Sequence, residues 1–117
     1  MSYIDGFVVA VPTENKQSYL DHARASVPVF KKYGATRCVE CWGVDVPDGE
    51  VTSFPMAVKA QPGETVVFSW IVWPSKEVRD AGMEEAMKDP FFADEGQKMP
   101  FDGSRMIFGS FDTILDE

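Results

Sequence analysis

The stretches YIDGFVVAV at residues 3–11 and TVVFSWIVW at residues 65–73 decide the fold. Apolar residues stand at consecutive positions in both, whereas a strand with one wet face alternates apolar with polar. Both therefore read as strands buried on two faces, in the middle of a sheet. Only two long helical patterns accompany them, too few to clothe both faces. The natural cover for the bare face is a second copy of the chain.

Working outward, the pattern is strand, helix, strand, strand, helix, strand. After the first strand, Pro12 stops the ladder, and Thr13 or Asn15 is placed to cap a helix running to about Tyr33 and ended by Gly34. Tyr19, Ala23, Val27 and Phe30 form its apolar stripe. Pro28 removes a backbone donor and crowds the preceding turn, which predicts a bend or break near Ser26 and Val27. A second strand over residues 36–44 carries Arg37 and Glu40, a polar content suited to a sheet edge. Residues 54–60 read as a short extra strand, and Pro62-Gly63 as the turn into the third strand. Ser75 caps a second helix running to about Lys88, which Asp89-Pro90 breaks. The loop at 91–104 holds Gly96, Pro100 and Gly103, but also Phe91, Phe92, Met99 and Phe101, so it should pack down. A last strand at 105–111 precedes an acidic tail with Asp112, Asp116 and Glu117.

This order gives an α+β, ferredoxin-like βαββαβ antiparallel sheet with two helices on one face. The expected arrangement has the first and third strands central and parallel, and the second and fourth outside. The chain of 117 residues fits a single domain spanning 1–117, able to bury a core without staples.

Nineteen acidic against eleven basic residues give a formal charge of −8. The field of such an acidic protein repels phosphate backbones and anionic lipid, and its cations form no stripe. Nucleic acid and membrane are therefore excluded as partners. The longest apolar runs reach about nine residues against the roughly twenty that span a bilayer, and the N-terminus enters a strand at once, so neither anchor nor signal peptide is expected. Cys38 and Cys41 form a C-x-x-C pattern, but in a strand residues three apart point to opposite faces, about 10 Å apart. They read as two reduced thiols of a cytoplasmic protein, with no metal and no redox role. No G-x-G-x-x-G, P-loop, G-x-S-x-G or H-E-x-x-H occurs, which removes the standard dinucleotide, nucleotide, serine-hydrolase and zinc-protease readings. The adjacent pairs Glu84-Glu85 and Asp94-Glu95 read as solvated surface.

Four segments carry a resemblance: IDGFVVAVP near the start, VECWGVDVPDG at 39–49, VFSWIVWPSKEVRDA at 67–81 and MPFDGSRMIFGSF at 99–111. Together they resemble the YbaA-like family of bacterial proteins (domain of unknown function 1428), over nearly the whole chain. The resemblance implies the dimeric α+β barrel superfamily, in which two ferredoxin-like sheets face each other across a homodimer interface. It carries no function, because the family has none assigned. Related barrels include cofactor-independent monooxygenases, haem-degrading enzymes, isomerases and ligand binders, and any reaction taken from them is analogy of fold.

In such barrels a pocket lies between sheet and helices, and polar residues pointing into it are the candidates. Arg79 falls in the small and apolar arc of the second helix, with Val78, Gly82, Met83, Ala86 and Met87. Its guanidinium needs an anion, supplied either by Asp5, Glu40 or Asp102 or by a ligand carboxylate. His22 borders the stripe of the first helix, where it reads as a surface residue; as a base it would need an orienting partner. Trp70 and Trp73 face opposite sides of their strand, one toward the pocket and the other toward a partner chain. Asp102 and Arg105 hold the turn into the last strand. The candidate pocket is thus Arg79, Met83, Trp70, Phe101, Asp102, Arg105 and His22, with no cofactor and with catalytic residues unassigned. The sequence reads as a homodimeric small-molecule binder; the alternatives are a cofactor-independent monooxygenase or isomerase acting on a small aromatic or anionic substrate, and a structural or regulatory dimer without ligand.

Overall fold

The computed structural model describes residues 1–93 and 99–117. Four strands, β1 (Tyr3–Pro12), β2 (Arg37–Trp42), β3 (Glu64–Trp73) and β4 (Ile107–Asp112), form one sheet in the order β2-β3-β1-β4. The two apolar stretches are the central strands, and the polar segment is an edge. Four helices are present among the described residues: α1 (Lys16–Lys32), α2 (Phe54–Ala57), α3 (Lys76–Lys88) and α4 (Pro90–Ala93). None is long and apolar enough to cross a membrane.

All three strand pairings are antiparallel, which corrects the expected parallel pairing of the first and third strands. The path of the chain is the reason. Helix α1 returns the chain across the sheet, so β2 runs in the same direction as β1. β3 then folds back against β2, and so opposes β1 as well.

Local chemistry explains three further differences. Residues 54–57 are helical rather than extended, because the Ser53 hydroxyl accepts a 3.1 Å hydrogen bond from the Met56 amide and Pro55 occupies the first turn. Neither Thr13 nor Asn15 caps α1 with its side chain. The Thr13 hydroxyl meets that of Thr65 at 2.7 Å, and Asn15 Nδ2 donates to the Pro100 carbonyl at 3.1 Å. Helix α1 also runs unbroken through Pro28. The carbonyl that Pro28 leaves without an amide partner is that of Arg24, and both residues are on the exposed face, where water replaces the lost donor. At the end of the chain, Arg105 lies in a 3-10 turn ahead of β4, and Asp112 pairs with Tyr3 instead of joining the tail.

The sheet has two unlike faces. On one, Val9, Val11 and Val67 pack with Tyr19 of α1, and Ile71 and Trp73 pack with Ala35, Phe30 and Met83. Helix α3 comes so close that a Cβ at Gly82 would lie 2.2 Å from the Tyr33 carbonyl oxygen and 2.7 Å from the Trp73 ring. On the other face, Val58 and Ala60 cover only one end, over Val8, Ala10 and Val66. Farther along that face Phe68, Ile107 and Phe111 are exposed. The chain's own short helix thus clothes part of the face that its two long helices leave bare.

Candidate functional site

Beneath α1 lies a cavity of about 410 Å³. The stripe Tyr19, Ala23, Val27 and Phe30 forms its roof, and Phe7, Val9, Cys38, Glu40, Ser69 and Ile71 its floor. Phe92, Met99, Phe101 and Met106 close the side. The described part of segment 91–104 packs down as its apolar content predicts, although its first residues are helical, in α4, and not loop: Phe92 meets Phe30 at 5.2 Å between ring centroids, and Phe101 meets Tyr19 at 5.6 Å. The expectations for Asp94, Glu95 and Gly96 lie outside the described residues.

One corner of this apolar cavity is polar. Glu40 and Ser69 are directly opposite in the β2–β3 register, and the buried Tyr19 donates its hydroxyl hydrogen to Glu40 Oε1. Glu40 stands on an edge strand and is exposed as a residue, although protein packs round its carboxylate end. That burial raises its pKa, against the opposing pull of the Tyr19 and Ser69 hydroxyls. Burial, followed by the adjacent Glu40 charge, pushes the Tyr19 phenol far up, so it remains a donor at any physiological pH. Burial also lowers the pKa of His22, whose ring lies 5.5 Å from that of Phe91, and raises that of the Cys38 thiol despite the nearby Lys31. Both side chains are therefore held toward their neutral forms.

The sequence-predicted residues divide. His22 and Phe101 line the cavity. Trp70 borders it from β3, but its side chain shares the opposite sheet face with Val39 and Gly6, and its ring lies 5.5 Å from that of Phe68. The tryptophan on the helix face is Trp73, fully buried. Met83 packs against the core formed by Ala35, Ile71 and Trp73.

Arg79 is not among the cavity's lining residues. Its Nε and Nη2 reach Asp5 at 3.0 Å. Asp5 is only 3% exposed and also accepts from Trp73 Nε1 at 2.9 Å and Ser110 Oγ at 2.6 Å. A carboxylate buried that deeply needs a cation, and Asp5 captures the guanidinium before any ligand can. Arg105 is likewise engaged, bonding both Glu64 oxygens at 2.7 Å, Asp102 at 3.0 Å and the Lys59 carbonyl at 2.8 Å. Asp102 also accepts from the Ser104 amide at 3.0 Å, so the pair fixes the turn before β4. Cys38 and Cys41 are free; Cys38 lines the cavity while Cys41 lines a smaller hollow on the opposite face. No group of three metal-ligating side chains occurs among the described residues.

Sequence reasoning missed Glu40 as the partner of Tyr19, with Ser69 opposite it in the strand register. The available signal was strand parity: Cys38, Glu40 and Trp42 share a face, and Ser69 is the one hydroxyl inside the otherwise apolar FSWIVW segment.

Fold and site together define an α+β protein with a four-stranded antiparallel sheet and a side-chain-lined cavity under one helix. The chain belongs to the family described as protein of unknown function (DUF1428), whose sequence pattern matches residues 2–103. It is 58% identical to the uncharacterized protein YbaA of Escherichia coli strain K12 over 117 residues, the full length of both chains, and equally to that of Shigella flexneri.

Proposed function

We propose that this protein is a homodimeric small-molecule binder, a ferredoxin-like subunit of a dimeric α+β barrel that holds a mainly apolar ligand beneath α1. The observation that carries the binding reading is the cavity. Its volume of about 410 Å³ falls within the roughly 300–1,000 Å³ of ligand pockets, and its apolar walls converge on one polar corner. The arrangement favours a neutral ligand with a single polar group, because the corner offers a carboxylate, Arg79 is engaged by Asp5, and Arg24 at the cavity's edge is on the exposed side of α1. The strand order β2-β3-β1-β4 supports the ferredoxin-like reading, and the exposed rings of Phe68 and Phe111 on the uncovered sheet face support pairing of two copies.

Native mass spectrometry of gently purified protein, alone and with a panel of aromatic fragments, tests both parts. The expected result is a dimer that retains a small molecule, with retention lost when Ala23→Trp fills the cavity and circular dichroism shows the fold intact. A monomer overturns the dimer. Retention of no fragment, or equal retention by Ala23→Trp, overturns the ligand site and favours a structural dimer.

A further inference from the structure

We propose that Glu40 and Tyr19 form a proton-transfer pair acting on neutral, mainly apolar carbonyl compounds held in the cavity, with Glu40 as the base at carbon. The inference rests on the cavity reading and adds a reaction to it. A carboxylate and a phenol from different elements, β2 and α1, meet at one corner of a space otherwise walled by apolar side chains. Two other carboxylates that join elements of the fold are matched by cations: Asp5 by Arg79 and Glu64 by Arg105. Among the described residues no ion pair reaches Glu40; its carboxylate accepts from the Tyr19 hydroxyl, and Ser69 stands opposite it in the strand register. The groups facing it are Tyr19, His22 and Arg24 from α1, Ser69 from β3 and Cys38 on its own strand, with Lys16 over the neighbouring Trp42 ring. Arg24 is on the exposed side of its helix, and His22 and Cys38 are held toward neutrality.

The chemistry follows from a base and a hydrogen-bond donor standing side by side. A carbonyl compound carries an acidic C–H and an acceptor oxygen two bonds apart, so one molecule can present the first to Glu40 and the second to Tyr19. Glu40 as carboxylate takes the proton from carbon. The C–H electron pair becomes the new C=C bond, the carbonyl π pair moves onto oxygen, and the Tyr19 hydroxyl turns from Glu40 to donate to that oxygen. Return of the proton to the same carbon exchanges its hydrogen. In a β,γ-unsaturated ketone, return to the γ-carbon shifts the double bond. Neither outcome needs an oxidant or reductant. Anionic substrates are disfavoured by the carboxylate itself and by the chain's formal charge of −8.

The test uses the full chain in D₂O with 2-tetralone and 3-cyclohexen-1-one as probes. NMR follows deuterium entry beside the carbonyl, and saturation transfer in the same tube reports binding. The wild type should exchange about 100-fold or more faster than Glu40→Gln, with Tyr19→Phe in between. The rate should rise with pH as Glu40 loses its proton and then level off. Glu40→Asp, which keeps the charge but withdraws the carboxylate by one methylene, should also be slow; it is the second variant if Glu40→Gln fails to fold. Binding without exchange above that of Glu40→Gln overturns the proton transfer and leaves the cavity reading standing. Failure of both ketones to bind overturns the substrate class, and the Ala23→Trp comparison then shows whether the cavity reading falls with it.

Discussion

Asp5 on β1 and Glu40 on β2 stand on the same face of the same sheet, and each accepts a hydrogen bond from an aromatic side chain, Trp73 in one case and Tyr19 in the other. Asp5 is closed over. Arg79, Trp73 and Ser110 occupy its oxygens, and the Trp73 ring is itself fully buried under Gly82. Among the described residues Glu40 meets no cation and accepts from the Tyr19 hydroxyl, and its corner opens on the cavity. The difference separates a polar group that holds the fold from one available to a ligand. Charge neutralisation inside the chain leaves nothing for a guest, whereas a carboxylate without a cation retains a proton more readily and stays reactive.

The largest expected effect breaks the closed cluster. Arg79→Met leaves Asp5 buried without its cation, and stability should fall by about 3–5 kcal/mol in a urea titration. A variant as stable as the wild type would mean that Asp5 is compensated by its two neutral donors and that the contrast with Glu40 is not one of charge. Ser110→Ala removes one of three donors from a carboxylate that keeps the other two, and should lower stability by about 1 kcal/mol. The smallest effect belongs to Glu40→Gln, within about 1 kcal/mol of the wild type at neutral pH, because a partly solvated carboxylate is exchanged for a neutral amide of the same shape.

The pH dependence of that last difference sharpens the comparison. Burial raises Glu40 above its unfolded pKa, so the folded state binds the extra proton more tightly. The resulting stabilisation is fully present below the unfolded value and is lost as pH rises through the folded one. The stability of the wild type minus that of Glu40→Gln should therefore decline over that interval and be flat on either side. An increase with pH would show that the hydroxyl groups outweigh burial and that Glu40 is held as an anion.

Much of this was legible in residue order. The unbroken apolar runs at 3–11 and 65–73 placed two strands at the centre, and Ser75 and Asp89-Pro90 marked the ends of α3. The apolar stripe of α1 proved to be the cavity roof. The segment at 54–57 was misread because its apolar residues fit either period, and a serine cap with a following proline settled it as helix. The break expected at Pro28 did not occur, since the helix exposes that turn to water. For the site, Arg79 was visible as a cation in an apolar arc, and Asp5 was one of three possible partners. Only the register that sets β1 beside β3 and β4 chose between them.

The sequence by itself determined the α+β class, the central strands and the separation of Cys38 from Cys41, because these follow from unbroken apolar runs and from periods of two and about 3.6 residues, each along a single element. The tertiary structure alone decided which carboxylate meets which donor. Tyr19 and Glu40 are twenty-one residues apart, and Asp5 and Arg79 seventy-four. Contacts over such separations are set by strand register and helix docking, which depend on the packing of the whole chain and not on any local pattern.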